Sequence, residues 1–206
     1  MGYGSLIAIE GIDGSGKTTL LKQIEKMYGT ETVFTVQSGG RDSEDVERYI
    51  KAIVTDENKK MENPTEALLY LAGLSHKTLH HIIPALNKYK IVVVDRYILS
   101  TFVHSHFMDH VDISTAKAII NFATEGLRPA FTFLCDISAE EAHKRLLRRG
   151  EQLTKREKNG ILFYETLRAG FKNYITDFSD DYMILDTQET SINNLIPYLK
   201  ILDKYV

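Results

Sequence analysis

The sequence is poor in cysteine, proline and tryptophan, and it has no excess of positive charge. Its single cysteine, Cys135, excludes an intrachain disulfide and any zinc site built on paired cysteines, so we expect a reducing, cytoplasmic environment. The 25 Lys and Arg residues are outnumbered by 28 Asp and Glu residues, which argues against a surface that binds nucleic acid or an anionic membrane. No apolar run reaches the roughly 18 residues that span a bilayer, and the first residues lack the pattern of a signal peptide. We therefore predict no nucleic-acid partner and no membrane partner.

The rest of the composition is that of an ordinary folded domain. Hydrophobic residues make up 43% of the chain and charged residues 26%, which excludes a disordered, collagen-like or coiled-coil protein. A length of 206 residues is enough for one domain with a sizeable core. We predict that residues 1–206 form a single domain.

Short runs of β-branched residues alternate with longer stretches suited to helices. The predicted strands span residues 6–9, 32–36, 91–94, 131–135 and 182–185. The predicted helices span residues 17–28, 42–53, 64–87, 139–149 and 159–178. Because strands that alternate with helices pair in parallel, the pattern predicts an α/β fold with a parallel sheet.

A phosphate-binding motif follows the first predicted strand. Residues 11–18 read Gly-Ile-Asp-Gly-Ser-Gly-Lys-Thr, which matches G-x-x-x-x-G-K-[ST] between a strand and a helix. Its glycines let backbone N–H groups turn toward phosphate oxygens, and the following helix adds positive charge at its N-terminus. Lys17 is expected to bridge the β- and γ-phosphates of ATP, and the Thr18 hydroxyl to bind Mg²⁺. The predicted ATP-binding residues are Gly11, Asp13, Gly14, Ser15, Gly16, Lys17, Thr18 and Thr19.

A second chemical element ends the strand predicted at residues 91–94. Asp95 follows this strand at the edge where parallel sheets bind ligands, so we expect it to hold Mg²⁺ together with Thr18. Arg96 comes next and is expected to bind phosphate, because a guanidinium presents two donors to two oxygens. The alternative is a structural Asp–Arg pair that caps the strand.

These motifs together resemble the thymidylate kinase family. The resemblance rests on the phosphate loop with Ile9 and Glu10 before it, on Asp95-Arg96-Tyr97 followed by Ser100 and Thr101, and on residues 126–129, Gly-Leu-Arg-Pro, before a strand. It implies a three-layer P-loop fold whose parallel sheet has five strands and is flanked by helices. It also implies an acceptor-binding helical region at about residues 37–88, a basic lid at about 148–160, ATP with Mg²⁺, and a homodimer.

The resemblance also implies roles for single residues. Asp13 would meet the sugar 3′-hydroxyl of the acceptor nucleotide, Arg41 and Arg96 would meet its phosphate, and Tyr70 would stack on its base. The phosphate loop carries no basic residue between Asp13 and Gly16, so the lid must supply charge to the transferred phosphoryl group. The candidates for this catalytic role are Arg148, Arg149 and Arg156, with Lys158 in the same region.

Two positions depart from the family pattern on the acceptor side. Leu74 stands where the family usually has an arginine that hydrogen-bonds the thymine edge, and His104-Ser105 replaces a Tyr-Gln pair. Ser105, His104 or His76 are the candidates to take over base recognition. Since base selection needs placed hydrogen bonds, Leu74 predicts weaker selection of thymine.

We therefore expect a nucleoside monophosphate kinase that transfers the γ-phosphate of ATP to dTMP and yields dTDP. One alternative is a related kinase for another nucleotide or a (deoxy)nucleoside. A second alternative, of a different class, is a weakly catalytic P-loop module that only binds nucleotide. The retained Lys17, Thr18, Asp95 and Arg96 argue against this last alternative.

Overall fold

Five parallel strands form one sheet in the centre of the computed structural model, which describes residues 4–37, 46–56, 58–148, 158, 160–188 and 192–206. The strand order is β2-β3-β1-β4-β5, and every neighbouring pair is parallel. The strands are β1 Ser5–Glu10, β2 Val33–Val36, β3 Ile91–Asp95, β4 Phe131–Asp136 and β5 Tyr182–Asp186. The predicted strands and the predicted α/β fold class are confirmed.

Helices cover both faces of this sheet. They are α1 Lys17–Tyr28, α2 Val46–Thr55, α3 Asn63–His76, α4 Ile83–Leu86, α5 Ile98–Phe107, α6 Ile113–Ala123, α7 Ala139–Arg148, α8 Gly160–Phe178 and α9 Ile192–Leu199. A 3₁₀ segment, Lys200–Tyr205, follows α9. Helices α5, α6 and α9 were not among those predicted from the sequence. The structure contains no helix, within the residues it describes, that is both long and apolar enough to cross a membrane.

The long helix predicted at residues 64–87 is present with one change of pitch. Helix α3 passes at His76 into a π-helical segment, Lys77–Ile82, and then into α4. Pro64 lies in the first turn of α3, where a missing N–H costs nothing. The π-helical segment puts the side chain of Lys77 beside the end of β3, which matters for the site described below.

Alternating residues of the central strands fill two separate cores. In β1, Leu6 and Ala8 belong to the core on one face, while Ile7 and Ile9 belong to the core on the other. The first core is closed by residues of α5 and α8, and the second by Leu20 and other residues of α1. Burial of both faces explains why these strands read as continuous apolar runs in the sequence.

The register of the sheet brings the two predicted motifs together. Ile9 of β1 pairs with Asp95 of β3, so the phosphate loop after β1 and Arg96 after β3 leave the same edge of the sheet side by side. The Arg96 N–H donates to the Ile9 carbonyl over 3.0 Å. This carboxyl edge is the place where open α/β sheets bind ligands.

Candidate active site

The phosphate loop needs glycine at two positions for both conformation and space. Gly11 has φ 138° and Gly14 has φ 83°, values that side chains rarely adopt. A Cβ atom at Gly11 would lie 2.4 Å from the Cys135 carbonyl oxygen, and one at Gly14 would lie 2.6 Å from the Ala142 carbonyl oxygen. The loop therefore lies directly against the end of β4 on one side and against α7 on the other.

Helix α1 directs its N-terminus at this loop. It begins at Lys17, and its first turn contains no acidic side chain to neutralise the helix dipole. Ser15 is fully buried in the loop, and its Oγ has no hydrogen-bond partner among the described residues. Buried polar atoms are normally paired, so a hydroxyl of this kind is expected where a ligand supplies the partner. Thr19, which follows in α1, has an exposed side chain.

Lys17 lies folded across the loop. Its Nζ donates to the Ile12 carbonyl over 2.7 Å, and its side chain is buried. Burial and the positive charge of Arg96 lower the pKa of Lys17, whereas Asp13 and Asp95 act in the opposite direction. An anion in the loop would stabilise the charged lysine and raise its pKa again.

Thr18 and Asp95 meet as the sequence predicted. The Thr18 hydroxyl donates to Asp95 Oδ2 over 3.1 Å, which joins the first turn of α1 to the end of β3. Hydroxyl and carboxylate oxygens are ligands that Mg²⁺ prefers, so this pair fits a magnesium ion. Groups of three or more His, Cys, Asp or Glu side chains that could hold a metal do not occur in the described part of the chain.

Arg96 pairs with the phosphate loop and not with its neighbour Asp95. Its Nη2 lies 2.6 Å from Asp13 Oδ1, and its Nη1 donates to the Gly11 carbonyl over 2.8 Å and to Ser100 Oγ over 3.1 Å. Arg96 has φ 66°, a left-handed conformation that is uncommon for a residue with a side chain. The alternative of an Asp95–Arg96 pair that caps the strand does not describe these contacts.

The Asp13–Arg96 pair stays charged over a wide pH range. Partial burial raises the pKa of Asp13, but the positive charges of Arg96 and Lys17 outweigh it and hold this pKa well below its usual range. In the same way, burial lowers the pKa of Arg96, but the carboxylates of Asp13 and Asp95 outweigh it and raise this pKa. The site therefore presents a fixed guanidinium next to a fixed carboxylate.

The predicted acceptor-binding residues lie on α3 and α5. Leu74 is 4% exposed and belongs to the core, so it offers no polar atom to a base, and Tyr70 on the preceding turn is only partly buried. Ser105 is buried, whereas His104 is partly exposed and close enough for its charge to lower the pKa of Asp13. The ring of His76 stacks on that of His80 with centroids 4.9 Å apart. The roles assigned to these residues remain predictions.

Several predicted residues lie outside the described part of the chain. Arg41, Arg149 and Arg156 are among them, together with most of the predicted lid at 148–160. Arg148 is described as the last residue of α7, and its side chain is exposed, as is that of Lys158. The assignment of the lid arginines and of Arg41 therefore stays a prediction.

Four residues that contact the site are assigned no role from the sequence, although Glu10 and Ser100 belong to the motifs that carry the family resemblance. Lys77 Nζ lies 3.1 Å from Glu47 Oε1 and donates to the Arg96 carbonyl over 3.5 Å. Glu10 and Ser100 hydrogen-bond each other next to the Arg96 guanidinium. A signal existed for Glu10, because it is a carboxylate that ends a buried strand, as Asp95 is. The buried Lys77–Glu47 pair joins elements 30 positions apart and has no local signal.

The first strand of the parallel sheet leads into a glycine-rich loop, which is followed by a lysine and by the Thr18–Asp95 pair. This arrangement defines a P-loop nucleotide-binding protein. The family model "Thymidylate kinase" matches residues 9–195. The thymidylate kinase of Caldanaerobacter subterraneus subsp. tengcongensis is 30% identical over 206 residues, which cover 98% of this chain and 97% of that protein. Those of Clostridium novyi and Lactobacillus acidophilus are 33% and 32% identical over 83% and 90% of this chain and 84% and 88% of their own lengths. The chain belongs to the thymidylate kinase family.

Proposed function

We propose that the protein transfers the γ-phosphate of ATP to dTMP and yields dTDP. Membership of the thymidylate kinase family supports this activity, since the match covers nearly the whole chain. The observation that carries it in the structure is the pairing of Arg96 with Asp13 across the phosphate loop. This contact puts a candidate acceptor-binding cation directly beside the candidate ATP site.

The donor side of the site is built for a nucleoside triphosphate. The backbone N–H groups of residues 11–16 and the N-terminus of α1 would bind its phosphates, together with the cationic side chain of Lys17. Thr18 and Asp95 would hold a Mg²⁺ ion, whose charge offsets that of the phosphates when it is bound.

The acceptor side needs to position a phosphate and has no need to activate it. A phosphate monoester is already an anionic nucleophile, so the reaction depends on alignment and on charge neutralisation. Arg96 would bind the acceptor phosphate and Asp13 the sugar 3′-hydroxyl. Tyr70 would stack on the base, with Arg41 as a second phosphate ligand and Leu74, His104 and Ser105 around the base.

Three further features belong to the proposal. Arg148, Arg149 and Arg156 would bring charge to the transferred phosphoryl group from the lid. A homodimer would cover the large apolar side chains that stand exposed on α2, α3 and α6, such as Tyr49, Leu68 and Phe122. A reducing cytoplasm suits the single buried Cys135, whose pKa burial raises to about 12, so that its thiol stays protonated.

The test is a direct identification of the product. Purified protein is incubated with ATP, Mg²⁺ and either dTMP or thymidine, and nucleotides are separated by ion-exchange chromatography. We expect dTDP and ADP in equal amounts from dTMP. If ADP forms with thymidine and does not form with dTMP, the proposal is contradicted and a nucleoside kinase is favoured. If nucleotide binds and no acceptor gives a product, the binding module is favoured.

One observation favours a second candidate, which is a kinase for a different deoxynucleotide. Leu74 is buried among apolar residues at the position predicted to read the thymine edge. The same chromatography with dUMP, dCMP and dGMP distinguishes this candidate, which requires that one of them reacts faster than dTMP.

A further inference from the structure

The buried carboxylate of Glu10 caps a helix that belongs to another part of the chain. Its Oε1 accepts hydrogen bonds from the backbone N–H groups of Tyr97 over 2.9 Å and of Ser100 over 3.3 Å. Tyr97 is the N-cap residue of α5 and provides no side-chain cap itself. The first N–H groups of a helix need acceptors, and a negative charge is favourable there, so Glu10 at the end of β1 fixes the start of α5.

Ser100 connects this carboxylate to Arg96. The Ser100 hydroxyl donates its only proton to Glu10 Oε2, so toward Arg96 it can only accept. Arg96 Nη1 donates to this hydroxyl over 3.1 Å. The two hydrogen bonds therefore run in one direction, from the guanidinium through the hydroxyl to the carboxylate. Burial raises the pKa of Glu10, and the hydrogen bond from Ser100 is foremost among the contacts that oppose this rise.

A count of donors shows what this arrangement leaves to a ligand. A guanidinium has five N–H donors, and within the part of the chain that the structure describes three hydrogen bonds hold Arg96, to Gly11, Ser100 and Asp13. Both N–H groups of Nη1 are used in this way, and one of those on Nη2. The two donors that remain, on Nε and Nη2, are enough for the two oxygens of one phosphate. The guanidinium is planar, so the hydrogen bonds at Nη1 also set the direction in which the donors on Nε and Nη2 point.

We infer that Ser100 and Glu10 are positioning residues, which orient the Arg96 guanidinium and act on the acceptor phosphate through Arg96. This inference rests on the proposed function, because it takes Arg96 as a ligand of the acceptor. It predicts that loss of Ser100 weakens use of the acceptor and leaves use of ATP unchanged.

The test compares two buried serines that both donate a hydrogen bond. Ser100→Ala removes the hydroxyl that Arg96 contacts, and Ser179→Ala removes one that donates to the Asp181 carbonyl over 2.8 Å at the end of α8. We expect Ser100→Ala to lower kcat/KM for dTMP by a factor of about 10 to 100, the scale of one hydrogen bond to a charged group. The KM for ATP should stay within about twofold, and Ser179→Ala should change neither constant by more than about twofold. A rise in the KM for ATP by the same factor as the loss of kcat/KM for dTMP would overturn the inference.

Glu10→Gln tests the direction of the hydrogen bonds from Arg96 through Ser100 to Glu10. A glutamine can still accept from the Tyr97 N–H, but its NH₂ group would donate to Ser100 and turn the hydroxyl proton toward Arg96. We expect a loss for dTMP at least as large as that of Ser100→Ala. Normal kinetics with dTMP in Glu10→Gln would overturn the inference.

The decisive variant is Arg96→Ala with and without Ser100→Ala. If Ser100 acts through Arg96, the second change adds less than twofold to the loss caused by the first. A full additional loss would show a separate structural role and overturn the inference. Ser100→Cys keeps a side chain of the same shape with only a weak donor and acceptor, and it replaces Ser100→Ala if that variant does not fold. The proposed function fails separately, if wild-type protein makes no dTDP, whereas an Arg96→Ala variant with unchanged kcat/KM for dTMP would overturn only the role of Arg96 and this inference with it.

Discussion

The donor half and the acceptor half of the site are built in different ways. The donor half consists of one continuous segment, the phosphate loop with the start of α1, and one residue from the next strand, Asp95. The proposed acceptor half would collect side chains from α2, α3, the π-helical segment and α5, and it includes the buried Lys77–Glu47 pair. A backbone-made site depends on local sequence, whereas a site made of distant side chains can change its specificity while the fold remains.

The largest effect is expected on stability, at the buried charge of the acceptor half. Lys77 and Glu47 are 6% and 12% exposed, and Lys77→Met removes one charge of this pair. Breaking a buried pair costs about 3–5 kcal/mol, and urea unfolding would measure it. The control is Lys59→Met in the exposed pair with Asp56, at 3.4 Å with side chains 53% and 32% exposed, where we expect a much smaller loss of stability because water screens an exposed pair. Equal losses from both variants would show that the acceptor half does not depend on its buried charge.

The next effect is on activity, in the donor half. Lys17→Ala removes the cation that lies across the phosphate loop, and we expect kcat to fall by a factor of about 10² to 10³, as when a preorganised donor is lost. Lys22→Ala, which changes an exposed lysine of the same helix, should leave kcat unchanged. Circular dichroism checks that both variants fold. A Lys17→Ala enzyme with most of its rate would separate the loop from catalysis.

A smaller effect is expected from the predicted lid. Arg148→Ala, Arg149→Ala and Arg156→Ala are measured singly, and at least one should lower kcat by a factor of about ten or more. Lys144→Ala, at an exposed position of α7, is the control for a change of surface charge near the lid. Normal turnover in all three arginine variants would mean that the charge comes from elsewhere in the site.

The smallest effect is expected from Leu74→Arg, which restores the polar group that the family usually has at this position. We expect the ratio of kcat/KM for dTMP to that for dCMP to rise by about tenfold, the scale of one added hydrogen bond to a charged group. Leu71→Arg, in the same core and one turn earlier, is the control, and it should not raise the ratio. A ratio that stays the same in Leu74→Arg would place base reading on other residues.

The sequence predicts the donor half well because its signals are local. Glycines at positive φ, a lysine and a hydroxyl at fixed spacing, and a strand that ends in Asp95 all lie within short segments. Continuous apolar strands are also visible locally, since both of their faces are buried. This applies to the central strands β1, β3 and β4, whereas the edge strand β5 is largely exposed.

The parts that sequence reasoning missed depend on contacts between distant segments. Helix α5 has no N-cap side chain of its own, and Glu10 of the distant strand β1 caps it instead. The sequence around α5 therefore carries no capping signal, and this helix is not among those predicted. The Lys77–Glu47 pair is invisible in the sequence because burial of a charge depends on the packing of α2 against the π-helical segment. Likewise, Arg96 was expected to bind phosphate, and only the fold shows that Asp13, Gly11 and Ser100 hold it.

We propose that this protein joins an ordinary phosphate-transferring half to an acceptor half with weakened base selection. The most direct test is kcat/KM of the wild-type enzyme for dTMP, dUMP, dCMP and dGMP under identical ATP and Mg²⁺ concentrations. We expect dTMP to react, with a preference over the next best base that stays below about 10⁴, the ratio that a site with well-placed hydrogen bonds reaches. A preference for dTMP above that ratio over every other base would contradict the claim, because the buried Leu74 contributes no hydrogen bond to such a choice.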